Sequence, residues 1–100
     1  MEKEVMDSLS IALEDWHMMQ KMEGDEGAEW AEKFERDFYT FIEAFEKWFR
    51  NIKPKPEQLE LAESLELVNE IQEKLPGPLQ LNFLLELERM VDGEVAEWFD

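Results

Sequence analysis

Eight of the chain's twelve aromatic residues fall within twenty consecutive positions: Trp30, Phe34, Phe38, Tyr39, Phe41, Phe45, Trp48 and Phe49. Projected at about 100° per residue, all except Tyr39 lie in an arc of about 100°, and Ile42 and Ile52 extend the same stripe. The period is that of an α-helix. The density means that one helix carries most of the chain's large apolar side chains, so other elements have to cover it. This stripe is read as the spine of a core rather than as a functional surface. Tyr39 points the other way.

Three further segments carry helical apolar periodicity, and breakers separate all four. The first runs from about Glu2 to Met22 and presents Val5, Leu9, Ala12, Leu13, Trp16 and Met19. It stops at Glu23-Gly24-Asp25-Glu26-Gly27, where two glycines suit a helix end and turn. The aromatic helix follows from about Ala28 to Asn51. Lys53-Pro54-Lys55-Pro56 ends it, because a residue before proline avoids helical geometry. Pro56 suits the first turn of a third helix, which is expected to continue to about Leu75 with Leu61, Leu65, Val68, Ile71 and Leu75 inward. Pro76-Gly77-Pro78 is a second break. A fourth helix starts near Leu79 and presents Phe83, Leu84, Leu87, Met90 and Val91. Either Gly93 caps it, leaving Glu94 to Asp100 as a short terminal helix, or it runs on with Val95 and Trp98 in phase.

Short loops place sequential helices antiparallel. The expected fold is all-α: one domain over residues 1–100, an up-and-down bundle of four helices with a possible short fifth at the C-terminus. A chain of 100 residues can bury about two-thirds of its unfolded surface.

Composition removes several function classes. There is no cysteine, so disulfides, thiolate metal sites and cysteine nucleophiles are excluded. The start, Met1-Glu2-Lys3-Glu4, lacks the basic and apolar character of a signal peptide. No apolar run exceeds three residues, the length of Phe83-Leu84-Leu85, so no membrane span is expected and the chain is assigned to the cytoplasm. The net charge of -16 repels nucleic acid and anionic lipid, and an electrostatically steered partner would be basic. Acidity alone would suit disorder, but 44% hydrophobic and 12% aromatic content argue for a packed core.

The charge is unevenly spread. Residues 28–53 hold six acids and five bases, while the flanking segments are strongly acidic. Four pairs there set an acid four residues before a base: Glu29/Lys33, Glu32/Arg36, Glu43/Lys47 and Glu46/Arg50. Each adds a few tenths of a kcal/mol to a helix. The alternative use of these bases is to neutralise acids on neighbouring helices.

Three features point outward from the core. First, Ile11, Met18 and Met22 lie off the main stripe of the first helix, and Leu81, Leu85 and Phe99 widen the apolar arc of the fourth. A small monomeric bundle does not need so broad a face, so these six residues are read as a contact surface for a protein partner or a second copy. Second, Glu63, Glu66, Glu70 and Glu73 form an acidic stripe on the third helix. It suits a basic protein surface, or a carboxylate array that mimics nucleic-acid phosphates. Third, Glu14 and His17 form a Glu-x-x-His pair one helical turn apart. Di-iron carboxylate bundles use two such pairs with two further glutamates. With a single histidine, this chain would need a homodimer to complete that set.

No chemistry beyond this is legible. Ser8 and Ser10 belong to no G-x-S-x-G elbow, there is no glycine-rich phosphate loop, and the acidic turn lacks calcium-loop spacing. The expected function is therefore non-catalytic and without cofactor: a small acidic helical protein acting through protein–protein contact, as adaptor, chaperone-like, immunity or regulatory module, and self-associating as a homodimer. The alternatives are a nucleic-acid-mimicking inhibitor and a carboxylate/histidine metal bundle at a dimer interface.

Overall fold

The computed structural model describes residues 2–93. It is all-helical, with five helices and no strand among the described residues. They are α1 (Glu2–Lys21), α2 (Gly24–Asn51), α3 (Leu59–Glu63), α4 (Glu66–Lys74) and α5 (Gly77–Asp92). No described helix is long and apolar enough to cross a membrane. The chain forms two compact units, Met1–Trp48 and Phe49–Asp100. The expected Glu94–Asp100 helix, with Val95, Trp98 and Phe99, lies outside the described residues.

In the first unit, α1 and α2 form a helical hairpin joined by Met22 and Glu23 alone. Glycine makes so short a connection possible. Gly24 has φ 64°, a left-handed conformation that side chains disfavour. At Gly27 a Cβ would sit 3.0 Å from the Met22 carbonyl oxygen, so a side chain there would press on the end of α1 where the first turn of α2 passes it. The glycine segment expected to be a loop is thus the first turn of α2.

The aromatic stripe is core. Phe38, Phe41, Ile42 and Phe45 are buried, while Trp30, Phe34 and Trp48 are half-buried. From α1, Val5, Leu9 and Ala12 are buried. Tilted ring contacts run along the hairpin: Trp16–Phe34 at 5.4 Å, Phe34–Phe38 at 5.5 Å and Phe38–Phe41 at 5.7 Å between centroids. Such tilted pairs are favoured by the ring quadrupoles and add to the area they bury.

The second unit departs from expectation in the stretch from Pro56 to Leu75. One helix was expected there, and two form. Pro54 and Pro56 keep the connection from Ile52 to Gln58 non-helical, and α3 begins only at Leu59, after an extended Gln58. At Ser64 the hydroxyl donates to the Leu61 carbonyl at 2.7 Å, and the Ser64 backbone N–H bonds the same oxygen at 3.2 Å. That local bonding competes with helix continuation. Leu65 is then extended and starts α4. The break shifts the phase of the apolar face. Ala62 is buried and Leu61 is 54% exposed, against the expectation for Leu61, while Leu67 joins Val68, Ile71 and Leu75 inside.

Pro76-Gly77-Pro78 does not separate α5 from the break; it starts α5. The Pro76 carbonyl accepts from the backbone N–H groups of Leu79 at 2.9 Å and Gln80 at 3.1 Å. Gln80 also reaches back, and its Nε2 donates to the carbonyls of Gln72 at 3.0 Å and Leu75 at 3.1 Å. It satisfies carbonyls that the end of α4 leaves without helical partners. α5 buries Leu79, Phe83, Leu87 and Met90, and α3 packs against both α4 and α5. Gly93, at φ 77°, caps α5, so the helix does not run through it.

Candidate functional site

The candidate residues fall into three groups, two on the outer faces of helices and one at the α1–α2 contact. Leu81 and Leu85 are 62% and 57% exposed on α5. They are four residues apart and lie opposite the buried row Leu79, Phe83, Leu87 and Met90. Continuing along α5, the same outer row carries the exposed Glu88 and Asp92. The outer face of α5 is therefore apolar near its start and acidic near its end. Leu61 on α3, expected from the sequence to face inward, is also exposed.

Ile11, Met18 and Met22 occupy α1. Ile11 is 49% exposed, while both methionines are half-buried. Phe99 lies outside the described residues. Of the acidic stripe, Glu66, Glu70 and Glu73 are exposed along α4, while Glu63 is half-buried on the separate helix α3. Glu14 and His17 are both exposed on α1. No three histidine, aspartate or glutamate side chains converge as a metal set among the described residues.

The third group went unnoticed in the sequence. Asp15 continues the row Ile11, Met18 and Met22 on α1, and it is 2% exposed. Lys33 reaches it from α2. The Lys33 ammonium donates to Asp15 Oδ1 at 2.9 Å and to Asp37 Oδ2 at 2.9 Å. It also stands 5.7 Å from the centre of the Trp30 ring, within cation–π range. Lys33 thus pairs across the hairpin and with Asp37, rather than with Glu29 as helical spacing suggested. Asp15 Oδ2 is buried and has no hydrogen-bond partner.

The electrostatics of this cluster follow from one cation facing two acids. Burial pushes the Asp15 carboxyl above its ordinary value, and the neighbouring Asp37 pushes it further, against the pull of Lys33. The Asp37 carboxylate is held below its ordinary value, first by the Asp15 carboxyl acting as a donor towards it and then by Lys33. Lys33 is raised, chiefly by its bonds to Asp15 and Asp37. The directions agree on a division of labour in which Asp15 keeps a proton longer and Asp37 carries the charge.

Comparison with protein-family models, with curated proteins and with solved structures found no match.

Proposed function

We propose that this chain is a non-catalytic, acidic helical module that acts through protein–protein contact and self-associates. The observation that carries the reading is the outer row of α5, with Leu81 and Leu85 side by side and more than half exposed. Burying a leucine is worth roughly 1.5–3 kcal/mol relative to leaving it in water. Two adjacent leucines on a face that would otherwise be polar give a second surface something to gain.

A two-fold pairing of α5 with its copy fits this row. An antiparallel approach sets Glu88 of one copy beside Leu81 of the other and keeps the acids from facing each other. A two-fold interface requires this kind of self-complementary patch. In this reading residues 1–100 act as one cytoplasmic domain with helices in up-and-down order, in an adaptor, chaperone-like, immunity or regulatory role.

Sedimentation equilibrium tests it. We expect a dimer that tightens as salt rises, because each copy carries -16 and salt screens their repulsion. Leu85→Glu should leave the fold intact and shift the chain to monomer. A monomer at every concentration and salt level would overturn self-association.

The exposed Glu66, Glu70 and Glu73 on α4 favour a second reading, a nucleic-acid mimic directed at a basic protein surface. Salt separates the two readings by sign. It strengthens pairing of like-charged copies and weakens capture of a basic target.

A further inference from the structure

We propose that Asp15 and Asp37 share one proton across the α1–α2 contact, and that this proton is a pH-sensitive latch on the hairpin. The argument starts from the unpartnered Asp15 Oδ2. It is buried, while the other oxygen of the same carboxyl is already bonded to Lys33. An ionised carboxylate there would place a lone acceptor in a water-poor site, which costs free energy. A carboxylic acid would not. Protonated on Oδ2, Asp15 becomes a donor, and the carboxylate that shares its Lys33 ammonium, Asp37, is the acceptor we assign to it. Lys33 completes the set by donating to the remaining oxygens of both residues.

Charge counting leads to the same state. Two carboxylates and one ammonium leave a surplus negative charge, and a single proton on Asp15 removes it. The other groups around Asp15 do not alter this. Its neighbours one turn away on α1 are Ile11, Ala12, Met18 and Met19, none of which titrates. Glu14 and His17, beside it in sequence, are exposed. From α2 the facing groups are Lys33 and Asp37, and Arg36 acts on Asp37. Lys33 is partly exposed, so the proton lost on deprotonation can reach water past its ammonium.

The latch has a sign. The folded hairpin holds the Asp15 proton to higher pH than the unfolded chain, so its contribution to stability is complete below the ordinary value of 3.8. It is lost as pH rises from there through the folded value. Acidification closes the contact and alkalinisation loosens it.

Carbon-13 NMR titration of the Asp15 carboxyl in the full chain, with thermal melts of wild type and Asp15→Asn over the same pH range, tests the proposal. Asparagine keeps the shape, donates to Asp37 through its amide and accepts from Lys33. We expect the Asp15 midpoint above 3.8 and a wild-type Tm that falls relative to the variant as pH rises. Asp37→Asn, read by the same titration, removes the like charge and replaces the charged acceptor with a weaker neutral amide oxygen, and should move the Asp15 midpoint down. A midpoint at or below 3.8, a pH-independent difference between wild type and Asp15→Asn, or an Asp15 midpoint unmoved by Asp37→Asn would each overturn the shared proton.

Discussion

The Lys33 ammonium on α2 bonds the Asp15 carboxyl on α1 at 2.9 Å, eighteen residues away in sequence, and Asp15 is almost wholly buried. The contact sits beside the Trp16–Phe34 ring pair. One polar tie and one aromatic contact therefore hold the hairpin at the same level. The tie also changes the reading of the α1 flank. Ile11, Met18 and Met22 share a row with Asp15, and α2 meets that row at Asp15, so this flank is not wholly a free surface.

Breaking the tie from the lysine side should be costly. Lys33→Met leaves Asp15 Oδ1 without its donor in a buried site. The expected loss is about 1–3 kcal/mol by urea unfolding near neutral pH. It should be smaller in acid, where Asp15 carries its own proton. An equal loss at both pH values would show that Lys33 acts through its packing on Trp30 alone.

The two flanks of the cluster titrate in opposite senses. Asp37 is held below 3.8, so its contribution is present above that value and is lost as pH falls through its folded value. Lys33 is raised above 10.5, so its contribution is present below 10.5 and is lost as pH rises through its folded value. Stability curves of wild type against Lys33→Met should diverge below the alkaline limb and converge across it.

The aromatic stripe should behave as core. Phe41 and Phe45 are fully buried, and Phe41→Ala or Phe45→Ala should each cost roughly 3–5 kcal/mol. Chemical denaturation monitored by far-UV circular dichroism reads this directly. A loss below about 1 kcal/mol would mean that the stripe is not a core.

The hairpin turn gives a backbone prediction. Gly24→Ala places a Cβ at φ 64° and should cost roughly 1–2 kcal/mol. Replacing glycine by alanine inside a helix usually gains about 0.5–1 kcal/mol. Gly27→Ala should show no such gain, because its Cβ would press on the Met22 carbonyl oxygen. A normal gain at Gly27 would mean that the end of α1 can move aside.

How much of this was legible follows from which interactions are local. The aromatic helix and the α1 face were readable because period and breakers are properties of neighbouring residues, whereas at Gly93 the sequence left a cap and a continuous helix both open. The α3–α4 break was not, since a single serine bonding to a carbonyl three residues back decided it within an otherwise periodic stretch. Leu61 and Ala62 exchanged places as a consequence. The start of α2 was misplaced because Gly24 and Gly27 read as a stop, while the left-handed φ of Gly24 and the close approach of Gly27 to Met22 belong to the first turn of α2. Lys33 was named as a base that could neutralise an acid on a neighbouring helix, as it does at Asp15, but Asp15 and Asp37 themselves were missed for a different reason. Asp15 stood in phase with residues already singled out, and Asp37 lay just off the edge of the aromatic arc. Both signals were visible on a helical projection. What the projection lacked was the register between two helices, which sets Lys33 opposite Asp15.

The outer face of α5 bears the central claim, and methyl NMR under dilution tests it most directly. With leucine methyls labelled, the signals of Leu81 and Leu85 should shift with protein concentration, more strongly at high salt, while those of the buried Leu79 and Leu87 stay fixed. Signals of Leu81 and Leu85 that remain unmoved across the full concentration range would contradict self-association through this row.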